Sequence, residues 1–134
     1  MKNVTERLYL FTTWTTNPTA YIDDINALKY ENLYNSLIAN GRQVIKANGR
    51  YNGQDEPCFV LTGDNNFESI VADICKTHKQ ESFLVVYPSQ GAIAELVFAD
   101  GSRKSIGKFV RVNEYSAKKA SSYTKIGEAF YVCE

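Results

Sequence analysis

The sequence predicts an α+β domain in which two helices cover one face of a single, mostly antiparallel sheet. Three observations carry that expectation. Two stretches repeat apolar residues at helical spacing, a series of short runs is rich in β-branched and aromatic residues, and the two kinds alternate along the chain.

Arg7-Leu8-Tyr9-Leu10-Phe11-Thr12-Thr13 reads as a strand. It is apolar on both alternating faces, which places it centrally in a covered sheet. The turn-forming stretch Thr15-Thr16-Asn17-Pro18-Thr19 follows. A helix is expected from Asp23 or Asp24, whose carboxylates can cap free amides, to just before Gly41. Tyr30, Leu33, Tyr34, Leu37 and Ile38 form its apolar stripe. A short strand over 43–47, a polar turn region from Asn48 to Pro57 and a strand over 58–62 come next.

Asn65 and Glu68 are spaced as a capping box for a second helix. Phe67, Ile70, Val71, Ile74, Cys75 and His78 make one continuous stripe along it. Strands over 82–87 and 92–99 flank the turn Pro88-Ser89-Gln90-Gly91. Asp100-Gly101 signals a hairpin into a strand within 103–112. A short polar helix within 113–123 and a closing strand over 129–133 complete the chain. The first six elements match a ferredoxin-like β-α-β-β-α-β core, with a C-terminal β-hairpin and strand as an extension. Residues 1–134 form one domain in this reading.

With 44% hydrophobic and 22% charged residues, the composition is that of a globular protein and argues against disorder. No apolar run approaches the roughly 20 residues that cross a bilayer. The N-terminal residues lack the basic-then-apolar layout of a secretory signal, so a cytoplasmic home is expected. Cys58, Cys75 and Cys133 form no C-x-x-C pair, and His78 is the one histidine, so neither a metal site nor a cofactor is expected. Net charge is zero but uneven: residues 1–101 carry 8 basic against 12 acidic groups, while 102–126 carry 7 against 1.

No glycine-rich phosphate loop, G-x-S-x-G elbow or H-E-x-x-H helix is present. His78, at the end of the second helix, reads as a half-buried residue at the negative end of the helix dipole. Thr12-Thr13-Trp14-Thr15-Thr16-Asn17-Pro18, the helix positions Asn26, Lys29, Leu33 and Leu37, and Glu56-Pro57-Cys58-Phe59 after Gly53 form an ordered series. Lys79-Gln80-Glu81-Ser82 and Glu95-Leu96-Val97 continue it. Together these elements resemble domain of unknown function 3293, small proteins of tailed bacteriophages and bacteria, over residues 8 to 101. The remainder, 102–134, reads as a basic extension. The resemblance implies no particular activity.

Trp14, Asn17, Asn26, Glu56 and Gln80 are the candidate ligand- or partner-binding residues. Their polar members either tie down local backbone or share one pocket. Lys and Arg interleaved with aromatics over 103–125 make Arg103, Lys104, Lys108 and Arg111 candidates for a phosphate backbone. The favoured reading of the same residues is that they keep an amphipathic edge hairpin from pairing with other chains. The leading expectation is a non-enzymatic, phage-encoded accessory protein that binds a host protein in the host cytoplasm. A nucleic-acid-binding module, and a nucleotide binder or enzyme built around Glu56 and Gln80, are the alternatives.

Overall fold

Strands with apolar side chains on both faces need two coverings, and the chain supplies both. The computed structural model describes residues 6–15, 21–51 and 54–134. Its strands are β1 (Arg7–Phe11), β2 (Gln43–Tyr51), β3 (Gln54–Gly63), β4 (Ser82–Tyr87), β5 (Ile93–Phe98), β6 (Arg103–Val112), β7 (Tyr123–Ile126) and β8 (Ala129–Cys133). The helices are α1 (Tyr21–Ala39), α2 (Glu68–Thr77) and α3 (Glu114–Lys119). The strands close into a barrel in the order β1-β3-β2-β7-β8-β6-β5-β4, with β4 returning to β1 and every pairing antiparallel.

Alternation along the strands separates two cores. Tyr9, Phe11, Phe59, Leu61, Phe83 and Val85 point outward and are covered by Tyr30 and Leu37 of α1 and Val71 and Cys75 of α2. Leu10, Cys58, Val60, Leu84, Val86 and Ala94 point inward and meet Phe109, Ile126, Tyr131 and Cys133 from the far wall. The expected ferredoxin-like α+β core is therefore corrected to a closed eight-stranded antiparallel barrel. The physical reason lies in the inward set. Helices on one face leave Leu10, Val60 and Val86 uncovered, and β5 to β8 curl round to bury them. Residues 102–134 are thus not an appendage to the core; they supply β6, β7 and β8.

Local differences follow from the same closure. Within the stretch read as a polar turn, 48–51 and 54–57 are strand, and β2 and β3 pair from Gln43↔Thr62 to Tyr51↔Gln54. The cap before α2 is Asp64 rather than Asn65: its carboxylate accepts the Asn66 amide at 2.9 Å, opening a 3₁₀ turn over Asn65–Phe67. No helix among the described residues is long and apolar enough to cross a membrane.

Candidate functional site

Strand ends and a helix start converge on the outer wall of the barrel. Cross-strand pairing sets Val85 opposite Glu95, and Val97 opposite Arg103, so Tyr87, Glu95 and Arg103 share the outward face of β4, β5 and β6. The first residue of α2, Glu68, reaches the same place. Arg103 Nη1 and Nη2 donate to the two Glu68 carboxylate oxygens at 2.9 and 3.1 Å. The same Nη2 lies 2.7 Å from Tyr87 Oη and 3.2 Å from Glu95 Oε1. Tyr87 Oη in turn donates to Glu95 Oε1 at 2.6 Å. Arg7 completes the cluster, 3.7 Å from Glu68 and 4.9 Å above the Tyr87 ring.

The electrostatics are internally matched, with two arginines against two glutamates. Burial, then the bond to Glu95, raises the Tyr87 pKa, so its hydroxyl stays a donor at neutral pH. The Tyr87 hydrogen bond, then Arg103, holds the Glu95 carboxyl below its usual range. Beside this cluster, between α2 and β4–β6, runs a groove of about 440 Å³. Cys75, Phe83 and Val97 lie along it as apolar lining, and Glu68, Gln80 and Arg103 are among its polar residues. That size and mixture suit a small molecule with a few charged groups.

Of the residues named from sequence, Asn26, Gln80 and Trp14 do come together. Asn26, 1% exposed, accepts from the Thr15 amide at 3.1 Å and donates to the Thr15 carbonyl at 2.8 Å. Gln80 Nε2 donates to the Trp14 carbonyl at 2.8 Å while lining the groove. The two amides therefore fix the Trp14–Thr15 backbone from α1 and from the end of α2, and Trp14 packs edge-on against Tyr30. Asn26→Ala strips both partners from a part-buried peptide, with an expected loss of about 1–3 kcal/mol in denaturant unfolding.

Glu56 stands apart from these ties. It is half-buried, two residues before Cys58 on β3, and burial alone raises its pKa. Its charge and burial push the Cys58 thiol up to about 12, burial being the larger cause. Asn17 lies outside the described residues. His78 follows α2, its pKa lowered by burial and then by Lys29. Lys104, Lys108 and Arg111 are exposed along β6, whereas Arg103 is held in the carboxylate cluster. Arg7, Glu68, Tyr87 and Glu95 escaped sequence reasoning. The usable signal was the Asp100-Gly101 turn, which sets 97 opposite 103 and brings Glu95 diagonal to Arg103.

Residues 19–134 match the model of the S-adenosylmethionine lyase family. The chain belongs to that family. The match runs from α1 through β8 and takes in every element that lines the groove. Among curated proteins, none matches the chain. Membership in the lyase family corrects two expectations. The resemblance to domain of unknown function 3293 rested on short elements whose polar members, Asn26 and Gln80, hold backbone here. The expectation of a non-enzymatic accessory protein rested on missing catalytic motifs; a lyase family points instead to an enzyme, which was part of the alternative built around Glu56 and Gln80.

Proposed function

We propose that this chain is an S-adenosylmethionine lyase whose substrate lies in the groove between α2 and β4–β6. The observation that carries the reading is the family match across all the groove-forming elements. The chemistry of the substrate class fits the residues present. A sulfonium sulfur already bears a positive charge, so breaking one of its carbon–sulfur bonds returns an electron pair to sulfur and releases a neutral thioether. Such a leaving group needs no proton from an acid. With no acceptor, the carbon that loses sulfur is satisfied from within the substrate. Its own carboxylate oxygen bonds to that carbon as the carbon–sulfur bond breaks, closing a lactone, or a neighbouring C–H gives its proton to a base and its electron pair to a new double bond. A site for the intramolecular closure has to orient the substrate and exclude water rather than supply a nucleophile. The absence of a Ser-His or Cys-His motif, with His78 the one histidine, accords with that demand. Three free cysteines, two of them buried, accord with a cytoplasmic setting.

The test is turnover of S-adenosylmethionine by the purified full chain, without added acceptor. The expected result is loss of the sulfonium substrate matched by the appearance of an uncharged adenosyl thioether. Product no higher than in a heat-inactivated control, at substrate concentrations up to millimolar, would overturn the reading.

A further inference from the structure

The fold uses only part of the positive charge on β6, α3 and β7. Strand β6 has β8 on one side and β5 on the other, so it is no edge hairpin whose charges keep other chains away. Ion pairs among the described residues occupy Arg7, Lys46, Arg50, Arg103 and Lys118, and leave Arg111, Lys119 and Lys125 without one. Arg111 pairs with Tyr131 of β8 and Lys125 with Phe130 of the same strand, and both cations line a groove of about 480 Å³. Of the carboxylates there, Glu114 is turned to Lys118 at 3.4 Å and Glu128 is in no ion pair. Tyr115 follows Glu114 directly. It is 71% exposed, and Lys119 Nζ stands 4.2 Å from its ring centroid. An open aromatic ring with a cation over it, beside a groove holding two more cations, complements a chain of phosphates that carries unpaired bases.

We propose that this corner of the barrel wall binds single-stranded nucleic acid, with one base stacked on Tyr115 and the neighbouring phosphates held by Lys119, Arg111 and Lys125. An acidic protein segment would meet the same cations but has no use for the open ring. A duplex would also reach the cations, yet its bases are already stacked on one another. This groove shares no lining residue with the one between α2 and β4–β6, so the inference stands apart from the lyase reading.

Fluorescence anisotropy of a labelled oligothymidylate of about 15 nucleotides, near the upper end of single-strand site sizes, tests the proposal on the full chain. Binding should weaken steeply with salt. Arg111→Gln and Lys125→Gln should each flatten the plot of log affinity against log salt by about 0.7, the share of one phosphate contact on a single strand. Tyr115→Ala alters an exposed residue and removes no charge. It should weaken binding about 5- to 150-fold at an unchanged salt slope, the worth of one stacked base. Glu128→Gln, which removes a repelling carboxylate from the groove, should tighten binding. Lys29→Gln takes the same unit of charge from an exposed position on α1 and should leave the slope unchanged. Heparin, a polyanion without bases, should bind the parent and Tyr115→Ala equally. A surface that merely attracts polyanions predicts that Tyr115→Ala holds the oligonucleotide as tightly as the parent, or that Lys29→Gln flattens the slope as much as Arg111→Gln. Either result overturns the proposal. So does the absence of any anisotropy change at protein concentrations up to about 100 µM, the weak limit of non-specific binding.

Discussion

Phe59→Ala is expected to lower stability by about 3–5 kcal/mol, the usual cost of deleting a large aromatic from a core that cannot collapse around the gap. Phe59 has 0% exposure and sits on the outward face of β3, opposite Phe11 of β1 and Lys46 of β2. Its ring stacks on Tyr30 at 4.3 Å, with Tyr34 at 6.5 Å and Phe11 at 5.5 Å. One side chain thus docks α1 on the barrel. Tyr30 cannot swing inward to fill the space, because its hydroxyl is anchored on the Cys58 carbonyl at 2.6 Å inside the same core. Urea unfolding reads the effect as a lower midpoint at unchanged slope. Phe59→Leu, which keeps most of the volume, should recover more than half of the loss. A Phe59→Ala chain within about 1 kcal/mol of the parent, well below the usual range, would mean that α1 is held by something other than this ring stack.

The helix that Phe59 docks was legible because helical periodicity is a local signal. Tyr30, Leu33, Tyr34 and Leu37 all pack on the core, and so do Phe67, just before α2, and Val71, Ile74 and Cys75 within it. Ile38 broke the pattern at 46% exposure. Closure of the barrel was not a local signal. The apolar residues on both faces of β1 announced two coverings, yet nothing nearby in sequence said that the second would come from residues 103–133. Strand β7 is four residues long and carries Thr124 and Lys125 beside Tyr123 and Ile126, too short and mixed to stand out from the polar helix before it. The polar stretch 48–57 looked like a turn because Asn, Gly and Asp are poor strand formers, but cross-strand pairing makes 48–51 and 54–57 strand.

The candidate site was legible to the extent that its polar residues broke a packing pattern. Gln80 and Asn26 were conspicuous for that reason, and both proved to be backbone ties. The charged cluster was hidden because its members come from β1, α2, β4, β5 and β6, and only the folded sheet sets them side by side. Arg103 looked like one cation in a basic run. Its neighbours in space are two glutamates and a tyrosine, which turn a candidate phosphate contact into half of a groove-lining ion pair.

Gly107→Ala is expected to destabilise by about 2–4 kcal/mol, through left-handed backbone strain together with steric overlap that no rotamer relieves. Gly107 has φ +97°, and a Cβ there would lie 2.5 Å from the backbone oxygen of Glu134. That oxygen cannot withdraw easily, since it accepts the Lys108 amide at 2.8 Å while the Glu134 amide donates to the Lys108 carbonyl at 2.9 Å. The residue sits in a β-bulge: the β5–β6 register shifts between Ile93↔Lys108 and Glu95↔Ser105. The bulge reverses which residues face inward. Before it, Ile106 is inward, and after it Phe109 is, although strict alternation would turn Phe109 out. Because of that reversal, Phe109 stacks on Tyr131 at 4.8 Å, and Phe109 to Val112 pair with β8, the step that closes the wall. Strain at Gly107 should therefore disturb the inner core and the β6–β8 seam together. Hydrogen exchange should show Phe109–Val112 and Ala129–Cys133 losing protection by a larger factor than α1 and α2. Uniform loss across the chain, or none, would show that the bulge does not control closure.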